Sequence, residues 1–277
     1  MTTSDIRALA DVLALHPLLP MAWRAAWSAG LFLRDERPTR LTVDTKSSPT
    51  DAVTVMDRTA ETMIAADLLG ARPGDGLLGE EGGERIGTSG VRWVVDPLDG
   101  TVNYLYELPM WGVSIAAEEG GVVTVGVVVA PDFGEGYIAV RGEGSWRVVG
   151  SSAERLEVSR CTELGSALVI TGFGYDAAMR KAQSDVVSGL ITSIRDVRRL
   201  GSAVVDFCWL ARGRVDAYYE KGLNAWDYSA GALIAQEAGA VVTGLRDDDI
   251  SNFFLAAAPG IAGELRQELQ ALRADEV

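Results

Sequence analysis

The stretch Val91-Arg92-Trp93-Val94-Val95-Asp96-Pro97-Leu98-Asp99-Gly100-Thr101-Val102-Asn103-Tyr104 decides how the chain is read. An apolar run that stops at Asp96-Pro97 predicts a buried strand delivering Asp96 to its carboxyl end, because proline cannot donate to the next rung of a ladder. Leu98-Asp99-Gly100-Thr101 then reads as a turn and a helix start. Two carboxylates and a hydroxyl on one turn repel each other and lose hydration unless a cation lies between them. A divalent ion with hard oxygen ligands meets that need. An Asx-turn followed by an N-cap uses the same residue types without any metal. On this stretch alone the two readings carry equal weight.

Outward from it, 277 residues suffice for one large domain or two lobes sharing an interface. At 48 % hydrophobic and 23 % charged, the chain is an ordinary globular protein. A net charge of −14, from 39 acids against 25 bases, argues against nucleic acid as a partner. It also repels an anionic substrate unless bound metal reverses the sign locally. The apolar stretch Leu9 to Trp27 is interrupted by Asp11, His16, Pro17, Pro20 and Arg24, so it reads as neither a membrane span nor a signal peptide. Cys161 and Cys208 lie far apart and suit free thiols in a reducing cytoplasm. His16 is the single histidine, which removes Ser-His-Asp, Cys-His and His-ligated metal chemistry and leaves carboxylates, hydroxyls and metal.

Helices are expected from Ser4-Asp5 through Leu15, from Met21 to Leu33, and from Asp51 to Leu69, the last with Asp57 in its first half. A short strand is expected at Leu41-Thr42-Val43 and a polar loop at Lys46 to Thr50. Gly76 to Gly79 reads as a strand running into Glu80-Glu81, where one glutamate points inward. Segments near 111–118, 121–130, 135–141 and 145–149 alternate with Gly-rich turns and read as an antiparallel meander. Beyond Ser151 strand and helix alternate. The expectation is an α/β (α+β) chain in two lobes that pack as one unit. Residues 1–150 form a helix-plus-antiparallel-sheet lobe with most of the candidate ligands, and residues 151–277 an α/β lobe that carries Asp227.

Phosphate chemistry is tested by spacing. No G-x-x-x-x-G-K-[ST] run occurs, and Asp99 falls one position too late for an Asp-x-Asp phosphatase. Cys208 to Arg214 formally matches a C-x5-R loop, but this cysteine lies in an apolar helical run rather than a glycine-rich anion cradle. Glu80, Asp96, Asp99 and Asp227 each sit at the edge of an expected strand or helix. Four such carboxylates can coordinate two Mg²⁺ ions and leave room for water and a phosphate oxygen.

Gly79-Glu80-Glu81, the Asp96-to-Asn103 stretch and Trp226-Asp227-Tyr228-Ser229-Ala230-Gly231 resemble the signatures of the inositol monophosphatase family. Lys46-Ser47-Ser48-Pro49-Thr50-Asp51, Asp57, Gly201-Ser202-Ala203 and Asp216-Ala217-Tyr218-Tyr219-Glu220 match in the same order, over roughly residues 40–260. The resemblance favours the metal reading of the aspartate turn. It implies the fold of these sugar phosphatases, with alternating α-β-α-β-α layers, and a cytoplasmic, lithium-sensitive, Mg²⁺-dependent phosphatase, usually a homodimer. Its implied substrate is a small phosphorylated polyol or sugar, foremost myo-inositol monophosphate, cleaved by metal-activated water without a phospho-enzyme. Relatives of this type also act on fructose bisphosphate, histidinol phosphate or adenosine bisphosphate, and a regulatory binding protein that kept the fold is the reading from a different class.

Carried over by position, the resemblance gives Glu80, Asp96, the carbonyl of Leu98 and Thr101 to a first metal. Asp96, Asp99 and Asp227 go to a second, and Glu80 acts through water on a weaker third. Thr101 with Asp57 would orient and deprotonate the attacking water. The amides of Gly100 and Thr101 would bind phosphate oxygens, and Asp99, Gly201, Ala203 and Glu220 would contact the sugar. Gly82 and Tyr104 depart from the family pattern of serine and phenylalanine, and Gly82 is expected to loosen the loop behind Glu80.

Overall fold

The computed structural model describes residues 6–38, 43–45 and 52–276. The loop expected at Lys46 to Thr50, the helix start at Ser4-Asp5 and the first two residues of the Leu41 strand lie outside them. A sheet of nine strands runs in the order Ile6–Ala8, Ser152–Arg155, Gly144–Val149, Glu135–Val140, Val122–Ala130, Gly112–Glu119, Val91–Asp99, Gly76–Gly79 and Gly83–Arg85. Its pairs are antiparallel except Gly76–Gly79 beside Val91–Asp99. The expected meander is its centre. A second sheet of five strands orders Asp196–Arg198, Leu168–Thr171, Ala217–Glu220, Phe254–Ala257 and Val241–Thr243. Val43–Thr45 and Ala52–Thr54 make a separate hairpin ladder.

Strand alternation sets the layers, since neighbouring side chains face opposite ways. Trp93, Val95, Val113, Ile115, Val125, Val127 and Val129 pack on one side against Ala22, Ala26, Ala60 and Ile64 of helices Leu19–Asp35 and Val55–Ala71. Val94, Ala116, Val128, Tyr137 and Ala139 pack on the other side against helices Ala203–Ala211 and Ala225–Glu237. Those two helices turn Phe207, Leu210, Ala232 and Ala235 to Ile170, Tyr218 and Phe254 of the five-stranded sheet. Val169, Ala217, Tyr219 and Leu255 face helices Ala177–Leu190 and Ala262–Ala271 on its far side. The stack is therefore α-β-α-β-α. The middle helices carry apolar side chains on both faces because both are covered.

Three expectations are corrected. The strand Val91–Asp99 does not stop at Pro97. Asp96 lies opposite Ser114 and Asp99 opposite Gly112, so three steps on one strand meet two on the other. This bulge accommodates the missing proline N–H, and it has a further effect. In a regular strand residues three apart face opposite sides, whereas one inserted residue returns them to the same side. At the chain start Ile6–Ala8 is a strand, paired with Ser152–Arg155, and the helix is only Leu9–Leu13. Ala52–Thr54 is likewise a strand, and the helix begins at Val55 because Thr54 caps it. The Met21-to-Leu33 helix is found as Leu19–Asp35.

Candidate active site

Four carboxylates approach the gap between the two sheets, and backbone amides hold three of them. Asp96 uses Oδ1 to accept from the amide of Leu98 at 3.0 Å, an Asx-turn inside the bulge. Gly100 follows at φ 88°, where a Cβ would lie 2.8 Å from the Met110 carbonyl, so no other residue fits this turn. Asp99 Oδ2 accepts from Ser202 Oγ at 2.6 Å and from the amide of Val204 at 2.8 Å, so the first turn of helix Ala203–Ala211 anchors it. Asp227 stands in the first turn of Ala225–Glu237, its Oδ2 accepting from the amide of Asn224 at 2.6 Å. Glu80 follows the strand Gly76–Gly79 and lines the cavity, while Glu81 approaches Arg58.

One oxygen from each of Asp96, Asp99 and Asp227 lies within 4.8 Å of the others, and together they form a candidate acidic metal site. Burial raises the Asp96 carboxyl well above the usual range, reinforced by the charges of Glu80, Asp99 and Asp227. Burial and the neighbouring Asp99 do the same to Asp227. Burial also raises Asp99, against the pull of its Ser202 and Val204 donors. Carboxylates kept this close resist ionising together unless a cation joins them, so the donor set fits a hard divalent ion.

Asp57 sits behind this group, 1 % exposed, in the first turn of Val55–Ala71. Its Oδ2 accepts from the Thr54 amide at 2.9 Å and the Thr54 hydroxyl at 2.6 Å. Its Oδ1 faces Thr101 Oγ1 at 3.1 Å, and the Leu98 carbonyl lies at 3.1 Å from the same hydroxyl. Burial raises the Asp57 carboxyl.

The cavity beside these groups measures about 470 Å³ and is bordered by Glu80, Asp96, Leu98, Asp99, Gly100, Thr101, and, farther along, Gly201, Ala203, Glu220 and Asp227. Of the residues given a catalytic, metal or substrate role from sequence, Asp57 alone stands outside this lining, one hydrogen bond behind it. Glu220 closes the strand Ala217–Glu220, with Tyr218 Oη donating to its Oε2 at 2.7 Å. Burial pushes its carboxyl up to about 7. Asp216, from the same motif, is elsewhere: it accepts from Ser159 Oγ at 2.5 Å and the Leu168 amide at 2.7 Å. Asn103 is likewise a staple, donating to the carbonyls of Met110 and Leu200 at 2.6 and 2.8 Å.

Several contributors were invisible in sequence. Glu61 accepts the amides of Glu81 at 2.8 Å and Gly82 at 2.6 Å, tying down the loop behind Glu80. Gly82 therefore does not loosen this loop: a Cβ there would lie 2.6 Å from the Glu61 carboxylate. Gly172 leaves room for Glu220, whose carboxylate a Cβ at that position would overlap. The Tyr104 hydroxyl, the other departure, donates to the Leu33 carbonyl at 2.6 Å. Cys208 is buried in its helix and its thiol is raised by that burial, which removes the C-x5-R reading. No helix among the described residues is long and apolar enough to cross a membrane.

The layered fold and its carboxylate-lined cavity are those of a phosphatase. The profile of the inositol monophosphatase family matches residues 14–277, and the chain belongs to that family. It is 44 % identical to an inositol-1-monophosphatase of Mycobacterium bovis over 238 residues, 82 % of this chain and 81 % of that protein. It is 37 % identical to the Nus factor SuhB of Escherichia coli K12 over 233 residues, 83 % and 85 % of the two chains. The crystal structure of the extragenic suppressor protein suhB from Bartonella henselae superposes with a TM-score of 0.86 at 33 % identity, covering 92 % of this chain and 99 % of that one.

Proposed function

We propose that the chain hydrolyses a small phosphate monoester with Mg²⁺, preferring myo-inositol monophosphate. The observation that carries this reading is the trio Asp96, Asp99 and Asp227, within 4.8 Å of one another beside a cavity that runs on to Glu220. These three, with Glu80, the Leu98 carbonyl and Thr101, would hold two or three ions. When bound, Mg²⁺ supplies a Lewis acid that polarises the phosphoryl group and lowers the pKa of water.

The chain's own groups do the rest. With Asp57 Oδ1 taking the proton of Thr101 Oγ1, the lone pairs of that hydroxyl stay free to accept from water, and burial makes Asp57 the better proton acceptor. The amides of Gly100 and Thr101 would bind phosphate oxygens. Neither cysteine nor histidine is among the described residues lining the cavity, and the carboxylate trio fits a cation that would activate water, which supports attack by water without a phospho-enzyme. At the other end Asp99, Glu220 and the backbone at Gly201 and Ala203 would receive the hydroxyls of the leaving alcohol. Lithium sensitivity, a cytoplasmic setting and a homodimer belong to the same proposal.

The test is phosphate release from myo-inositol monophosphate, fructose 1,6-bisphosphate, histidinol phosphate and adenosine bisphosphate, with Mg²⁺ and with or without Li⁺. Mg²⁺-dependent, Li⁺-inhibited release that is fastest for the inositol ester supports the reading. Turnover indifferent to Mg²⁺ refutes it. Relatives named Nus factor SuhB make a regulatory binding role the competing reading, and it predicts weak turnover with tight protein association.

A further inference from the structure

Helix Ala203–Ala211, Ala-Val-Val-Asp-Phe-Cys-Trp-Leu-Ala, contains one charged residue, and none of the roles above uses it. Asp206 is 2 % exposed. Its Oδ1 is buried and meets no donor among the described residues. Its backbone amide makes an ordinary helical bond to the Ser202 carbonyl, so the residue is not a cap. It lies outside the Asp96, Asp99 and Asp227 trio. Yet it borders the same cavity, with Ser202, Ala203 and Glu220. An apolar residue would serve the packing of this helix better, because a buried carboxyl without a donor forfeits its hydration for nothing in the free protein.

We propose that Asp206 accepts a hydrogen bond from a hydroxyl of the substrate's alcohol, beside one read by Glu220. It thereby selects polyhydroxylated alcohols over alcohols with no second hydroxyl. The inference rests on the phosphatase reading and sharpens its alcohol side. Burial raises the Asp206 carboxyl well above the usual range, the charges of Glu220 and Asp99 add to this, and Arg199, from the cavity wall, offsets only part of it; in either protonation state the group keeps an acceptor oxygen. Glu220 already has one oxygen bound by Tyr218. Two acceptors on adjoining elements, one ending a strand and one a turn inside a helix, suit the donors of a polyol ring better than a single hydroxyl. A site that hydrogen-bonds a substrate hydroxyl discriminates strongly against analogues lacking it, since its acceptor is then left unpaired.

The experiment compares kcat/KM for myo-inositol 1-phosphate with that for phenyl phosphate, whose alcohol offers no further hydroxyl. Asp206→Ala is expected to lower the ratio of the two by about tenfold or more, mainly through KM for the inositol ester. Asp206→Asn, which keeps an acceptor oxygen in the same place, is expected to recover most of it. The melting temperature of Asp206→Asn is expected to match or exceed wild type, because no internal hydrogen bond is lost. An unchanged ratio in both variants overturns the assignment, since a purely structural residue would move the two substrates together. If the wild-type protein cleaves neither ester, the phosphatase reading itself fails and the role of Asp206 falls with it.

Discussion

Replacing Asp96 by asparagine separates the cost of the carboxylate cluster from its use. Two unit charges at the 4.8 Å limit of this cluster repel by about 3.5 kcal/mol at an effective dielectric constant near 20. Asp96 takes part in two of the three pairs, so with all three fully ionised its charge carries about 7 kcal/mol of repulsion or more. Proton uptake lowers the realised gain, because burial and its neighbours raise the Asp96 carboxyl. The sign follows from linkage. A carboxyl raised in the folded state contributes stability that is fully present below its unfolded pKa, about 3.9, and is lost as pH rises through the folded value. The metal-free asparagine variant should therefore melt above metal-free wild type, by a margin that widens as pH rises from about 4 toward the folded value.

Metal acts in the opposite direction. Ligand at a hundredfold excess over Kd adds about 2.7 kcal/mol, which for a chain of this size corresponds to a rise of roughly 5–10 °C. Wild type should show this rise with Mg²⁺, and Asp96→Asn under a third of it. Turnover at saturating Mg²⁺ should drop at least a hundredfold. Thermal denaturation with EDTA and with Mg²⁺, beside a phosphate-release assay, reads all three quantities. Wild-type turnover in the variant, or an undiminished Mg²⁺ shift, would refute the assignment of Asp96 to the metal.

Glu220, raised to about 7 by burial, should become the better acceptor as pH climbs from 6 to 8. KM for the inositol ester should fall over that window, and Glu220→Gln should flatten the profile. The same ionisation should cost stability as pH rises through 7, because the folded value lies above the unfolded one. In Gly172→Ala the new methyl overlaps the Glu220 carboxylate and forces it off its Tyr218 contact, so KM for the inositol ester should rise several-fold, with a modest fall in melting temperature. Titration of that ester with purified variant checks it. Thr101→Val removes the hydroxyl that faces Asp57 and should lower kcat by about a hundredfold with KM near wild type, as read from steady-state kinetics across Mg²⁺ concentrations.

The aspartate turn shows how far sequence reading reaches. A capped turn and a metal site read as rivals, yet the structure places a turn and a candidate metal site on the same residues. Asp96 makes its Asx-turn with one oxygen and still joins the trio. Asp57 and Asp227 each give one oxygen to the start of a helix. Backbone amides at turns and helix starts fix the orientation of these carboxylates before any cation arrives, which is why the residue types of capping and of metal binding coincide here.

By itself the sequence determined most of the kinds of elements, their order and the acids that the structure brings to one cavity. Periodicity and turn residues are local, so they survive reading along the chain, and the separated motifs were specific enough to indicate the family. Only the tertiary structure decided that the strand runs through Pro97 with a bulge that turns Asp96 and Asp99 to the same side. It alone placed Glu61 under the Glu80 loop and Gly172 against Glu220, and kept Asp216 out of the cavity. These are matters of register and of contact between residues far apart in sequence, set by how layers pack. The unpaired acid at Asp206 lay in plain view in an apolar run, but its meaning depended on both faces of its helix being covered and on the cavity it borders.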